Sequence, residues 1–140
     1  RGLAADIDDL QRCYFGNHWS LVTPGLEPQA GVLIITGKEG ETFTATLEKV
    51  GGHNGQQIVA RGRGTVKDDG TLRWVGHVFA EDGTTELIRV AFRGVLSVTG
   101  KAIGGGTFSA RGAFPDGFEI NDHSFYQWET PCPFTLPPPQ

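Results

Sequence analysis

The feature that most constrains this chain is a turn that occurs three times between alternating apolar runs: Lys38-Glu39-Gly40, Asp68-Asp69-Gly70 and Glu81-Asp82-Gly83. Each sets an acid before the glycine, and Glu or Thr after it. That suits a type I turn whose next residue is left-handed and opens a G1 bulge, where glycine carries no Cβ penalty. A turn of known length fixes which residues face each other across a hairpin. It therefore fixes the side of the sheet each side chain takes.

The second turn predicts Lys67 opposite Thr71, then Val66 with Leu72, Gly64 with Trp74 and Gly62 with Gly76. The third predicts Ala80 opposite Thr84, then Gly76 with Ile88, Trp74 with Val90 and Leu72 with Phe92. Opposed residues share a face. One face then collects Ile58, Ala60, Val66, Leu72, Trp74, Val78, Ile88, Val90 and Phe92, and the other Arg61, Arg63, Arg73, His77, Arg89 and Arg93. Two turns assigned separately agree on the apolar face, and a one-residue slip in either would scramble it. The first turn, with Gly37 opposite Glu41, sets Ile35 beside Phe43 and Leu33 beside Ala45, with Thr44 and Thr46 on the other side. Trp74 is expected to cover Gly64, and Arg63 and Arg73 are expected to oppose each other.

Before the hairpins, Leu3, Ile7 and Leu10 fall at helical spacing among Asp6, Asp8 and Asp9, which predicts a short amphipathic helix ending near Arg12. After them, a final strand is expected from Phe118 to Trp128, then an extended tail ending Leu136-Pro137-Pro138-Pro139-Gln140. Gly31 to Lys38 echoes Gly94 to Lys101, and each copy precedes a Thr-Phe-(Thr/Ser)-Ala string, at Thr42 and at Thr107. A pseudo-twofold sheet and a coincidence of Gly/Val/Thr-rich strands both account for that echo. The expected fold is all-β: an antiparallel up-and-down meander of about eight strands forming a barrel, a number that closes around side chains or one ligand. It fills one domain, 1–140, with 1–13 as helix and lead-in and 130–140 as a Pro-rich tail.

Charge and cysteines bound the setting. The net charge of −4 and pI near 5.5 supply no bulk attraction to nucleic acid or an anionic membrane. Arg61-Gly62-Arg63-Gly64 lies within a strand and is not read as a nucleic-acid-binding RG segment. No apolar run approaches the roughly 20 residues of a membrane helix. Cys13 and Cys132 lie near opposite ends, and Cys132 sits between Pro131 and Pro133 in a segment that needs an anchor. A disulfide is the expectation, with two buried thiols as the alternative, and pairing goes with export to a secreted or periplasmic location. The chain has no Met. That fits a mature protein that has lost a leader, and fits a trimmed chain equally.

The 21 glycines concentrate among β-branched residues. On the expected inner face, Gly62, Gly64, Gly76 and Gly94 either leave room for a ligand or let opposing rings fill the gap. Trp74, Phe43 and Phe92 line a cavity in the first case and plug it in the second. The run Gly16-Asn17-His18-Trp19-Ser20-Leu21-Val22, followed by Pro28 to Ile34, resembles the opening of lipocalin-like (calycin) barrels, with two residues between the Gly and the Trp where that family has one. The resemblance covers the first strands. It implies that Trp19 caps the closed end and that the interior takes a small, mostly apolar molecule.

His18, His53, His77 and His123 share no metal-ligand spacing, so no metal or other cofactor is expected. Asp122-His123 with Glu119 and Glu129 is the nearest approach to an acid–base set, and none of the serines sits in a nucleophile elbow. No catalytic residue is assigned. The leading reading is an exported, non-catalytic small-ligand barrel with Trp74, Phe43, Phe92 and Trp19 as binding residues. The rivals are a small barrel enzyme of cyclase, isomerase or hydratase type and an adhesive module without a pocket. Nucleic-acid partners and a membrane span are not expected, and homo-oligomerisation is left open.

Overall fold

In the computed structural model, residues 4–20, 29–51, 57–80, 82–112 and 118–132 are described, with side chains except at 18–20, 29 and 118–126. Eight strands follow one another: β1 (Cys13–Ser20), β2 (Gln29–Glu39), β3 (Thr42–Lys49), β4 (Val59–Val66), β5 (Thr71–Phe79), β6 (Glu86–Leu96), β7 (Ala102–Gly112) and β8 (Phe118–Glu129). Each pairs antiparallel with its neighbour in sequence, and β8 pairs with β1, which closes the barrel. Closure removes both sheet edges, so no strand presents a free row of backbone donors and acceptors.

The apolar stripe faces inward as the alternation predicts. All nine residues assigned to it are buried, from Ile58 to Phe92, while Arg61, Arg63, Arg73, Arg89 and Arg93 are exposed. The second hairpin has the expected register: Val66 pairs with Leu72, Gly64 with Trp74 and Gly62 with Gly76. Its turn has the expected bulge, with Lys67 N donating to Thr71 O, Gly70 N donating to Lys67 O and Gly70 at φ +87°. The Asp69 carboxylate accepts from the Thr71 amide, and that bond holds its pKa below the usual value.

The other two hairpins differ from expectation. In the third, the closing pair is Ala80 with Thr85, and a bulge follows at Val78/Phe79. Trp74 therefore pairs with Phe92, Gly76 with Val90 and Val78 with Ile88. The slip is two residues, and a two-residue slip leaves every side chain on its face. Inward and outward residues were thus correct while the partners were not. Asp82 sets this longer loop. Its carboxylate accepts from the Thr85 hydroxyl and from the Thr84 and Thr85 amides, which lowers its pKa to about 2.

The first hairpin closes on Glu39 and Thr42 around a two-residue loop, with Gly40 at φ +62°. A bulge between Ile35 and Gly37 then sets Ile35 against Ala45 and Leu33 against Leu47. The Gly31 and Gly94 copies fall in β2 and β6, four strands apart, yet the first runs on as strand while the second turns at Ser97–Gly100.

The expected N-terminal helix is one 3-10 turn, Ile7–Asp9, capped by Asp6 and Asp9 reciprocally. Tertiary contacts override the helical spacing here. Residues 4–12 lie across the barrel end where the β2–β3, β4–β5 and β6–β7 turns meet. Ala5 and Leu10 are buried in the core cluster with Ile7 packed against it. Lys38 Nζ donates to Leu10 O, Ile35 N donates to Arg12 O, and Gly100, at φ +75°, lies against Asp9. A continuous helix would not follow that rim.

Gly83→Ala is expected to cost about 1–2 kcal/mol, because the left-handed backbone is forced on a Cβ that meets nothing within 4 Å. Gly100→Ala carries the same backbone cost and a clash besides, since its Cβ would lie 1.8 Å from Asp9 O. Urea titration should rank Gly100→Ala as the more damaging, and equal midpoints would contradict this packing.

Candidate functional site

The candidate site is the barrel interior. Phe43, Trp74 and Phe92 are brought together there, each buried. Trp74 stacks on Phe92 at 5.4 Å between centroids and 21° between planes. The glycines explain how three rings fit. A Cβ on Gly64 would lie 2.6 Å from Phe43 Cζ, and one on Gly76 would lie 2.6 Å from Trp74 Cζ2. Trp74 therefore covers Gly76 on its own strand, and Phe43 takes the place over Gly64 that was expected for Trp74. Among the described residues the rings fill the space the inward glycines leave.

Below the rings, Tyr14 forms part of the floor. Its hydroxyl accepts from Gln11 N at 2.7 Å and donates to Gly100 O at 2.6 Å, which ties β1, the N-terminal segment and the β6–β7 turn together. Burial pushes the Tyr14 pKa up to about 12, so the hydroxyl stays neutral through the physiological range.

Two polar atoms in this interior have no hydrogen-bond partner among the described residues: Trp74 Nε1 and Gln127 Oε1. Gln127 opposes Ile103 on β7 and Gly16 on β1, so it faces inward with them. One atom is a donor and the other an acceptor. A buried group left unpaired costs about 1–3 kcal/mol. A donor and an acceptor are thus left open in the interior, among the described residues, to water or a bound molecule.

Tyr14 and Gln127 were not singled out in the sequence. Gln127 stands between Tyr126 and Trp128, where alternation reads the aromatics as inward, yet Trp128 is 60% exposed. Only pairing of β8 with both neighbours reveals the phase. The Trp19 side chain lies outside the described residues, as do those of His18, His53, Glu119, Asp122 and His123.

On the outer wall the cross-strand partners also differ from expectation. Arg63 opposes Val75, and Arg73 opposes Arg93. His77 stacks near Phe79 and is bonded to the Glu86 carboxylate. A shallow surface cleft of about 470 Å³ lies at the β2–β4 side, lined by residues that include Lys38, Thr44 and Arg63. No helix among the described residues is long and apolar enough to cross a membrane. None of their His, Cys, Asp and Glu side chains gather in threes to hold a metal ion.

Cys13 and Cys132 are bonded, with 6.0 Å between their Cα atoms. The bond joins the start of β1 to the chain just beyond β8, at the seam where the barrel closes.

No protein-family model matches this chain, and no curated protein matches it. Among solved structures it is similar to a redesigned β-barrel, with 12% identity, a TM-score of 0.59, and coverage of 94% of this chain and 100% of that one. At that identity the likeness establishes the fold alone. The class is a closed, eight-stranded, antiparallel up-and-down barrel stapled by one disulfide.

Proposed function

We propose that this barrel is a non-catalytic binder of a small, mostly apolar molecule in an exported protein, in the manner of lipocalin-like barrels. The carrying observation is the pair of unanswered interior atoms, Trp74 Nε1 and Gln127 Oε1. An apolar ligand with one acceptor and one donor would satisfy both by displacing part of the ring packing over the inward glycines, with Phe43, Trp74 and Phe92 then supplying the contact area. A few polar groups in an apolar enclosure are the usual composition of a small-molecule site. The disulfide supports the exported setting, because such bonds persist in oxidising compartments.

Native mass spectrometry of protein purified from its own source tests the reading. A bound mass that is released on denaturation is the expected result. Trp74→Phe keeps the ring stack but removes the N–H, and Gln127→Leu removes the acceptor. Each should weaken ligand affinity about tenfold, the worth of one lost hydrogen bond, with little change in melting temperature. Protein that carries no bound mass, and variants that bind as the parent does, would overturn it.

A further inference from the structure

The outer wall of β4 to β7 carries six of the eight arginines in the chain: Arg61, Arg63, Arg73, Arg89, Arg93 and Arg111. The formal net charge is −4, and without these six it would be −10. Positive charge is therefore gathered on one side of an acidic protein. The cross-strand register sorts it into rows. Arg61, His77, Arg89 and Arg111 oppose one another in sequence across four strands. Four residues further along, Arg73 opposes Arg93 directly. Between the rows lie Arg63 and a floor of small side chains, Val75, Ala91 and Ser109.

Like charges directly opposed in a sheet are destabilising unless acids or an external anion balance them. Among the described residues no carboxylate pairs with Arg61, Arg63, Arg73, Arg89 or Arg93, and Glu86 is bonded to His77. The repulsion is retained where a neutral residue would relieve it. We propose that this wall is a docking surface for a linear polyanionic polysaccharide, sulfated or carboxylated, lying across the strands.

Geometry selects that occupant. Neighbouring strands are about 4.8 Å apart, so a chain running across them meets a cation at nearly every strand for about 14 Å. Guanidinium forks match sulfate and carboxylate oxygens two at a time. Three of the eight steps around a closed barrel separate β4 from β7. That turns the side-chain directions through about 135°. A membrane plane or a rigid duplex touches such a wall along a line and cannot reach both ends of the row, whereas a flexible chain follows the curve. Single-stranded nucleic acid is flexible too, yet it binds largely by stacking bases on aromatic rings. The rows hold no Phe, Tyr or Trp, and their one ring, His77, is already bonded to Glu86 and lies against Phe79 at their end. The cleft beside Arg63 gives the polysaccharide a concave seat at the β4 side.

The test uses the intact oxidised protein and heparin as the probe. It should be retained on heparin-agarose at roughly 50 mM NaCl and released by a few hundred mM, as counterion release requires. Arg73→Gln with Arg93→Gln, and separately Arg61→Gln with Arg63→Gln, should each elute at lower salt. Each pair should also reduce the slope of log affinity against log salt by about 1–2. Lys101→Gln, on the β6–β7 turn beyond the rows, should elute with the parent. Melting temperatures check folding, and the Arg73/Arg93 pair should melt no lower than the parent because a repulsion is removed. Flow-through of the parent at low salt, or elution unchanged by both arginine pairs, overturns the proposal. So does binding to phosphatidylserine vesicles that heparin does not displace, or tighter binding of single-stranded DNA than of heparin at equal charge.

Discussion

Trp74→Ala is expected to lower stability by about 3–5 kcal/mol, the cost of removing a buried aromatic ring into a site that collapses only partly. For a chain of this size that is a fall in melting temperature of roughly 10–20 °C. The ring is 1% exposed, stacks on Phe92 and occupies the space above Gly76. A second substitution isolates this last contact. Gly76→Ala alone places a methyl against the indole, a clash that forces the ring or strand to move and costs about 1–3 kcal/mol. In the Trp74→Ala background the same change should cost far less, because the methyl now enters the space the indole left. Urea denaturation of the four proteins gives the coupling directly. Additive effects would mean that Trp74 does not lie over Gly76.

Loss of the disulfide is the other large effect. Cys13 and Cys132 close a loop with a sequence separation of 119, for which the chain-entropy model gives a stabilisation of about 4–5 kcal/mol. The location adds to the expectation. β1 and β8 form the pairing with the greatest sequence separation, Tyr14 with Glu129, so the bond pre-assembles the contact whose closure entropy is largest. Next to the bond, Thr130 N donates to Cys13 O and Glu129 N donates to Lys101 O. Cys13→Ser with Cys132→Ser should therefore lower the urea midpoint markedly. Amide exchange should rise first along the β1–β8 seam and least in the β4–β5 hairpin. Alkylation of the unreduced protein followed by intact mass should add no label. Two added labels, or a double variant as stable as the parent, would contradict the assignment.

Which residues face in and which face out was legible in the sequence. Alternation has a period of two, and the acid–glycine turns set its phase in β4, β5 and β6. That is enough to send Ile58 through Phe92 inward and the arginines outward, even with one register two residues off. The disulfide was legible for a similar reason, since two cysteines flanking the whole sheet leave one pairing.

Partners were decided only by the tertiary structure. A bulge and one extra loop residue moved Trp74 from Val90 to Phe92; in the first hairpin the two-residue loop shifted the register by three and a bulge took one back, so Ile35 meets Ala45 and not Phe43. The longer third loop has a local cause in Asp82, but each bulge depends on how the strands coil to close. Residues 4–12 show the same limit from the other side. Their spacing is helical, but the rim of the barrel offers bonds at Lys38 and Tyr14 and a close approach at Gly100 that only an extended path with one 3-10 turn can reach. The unanswered Trp74 Nε1 and Gln127 Oε1 belong to this class as well. An unsatisfied atom is defined by everything around it, and that is set when eight strands close, not when any one of them forms.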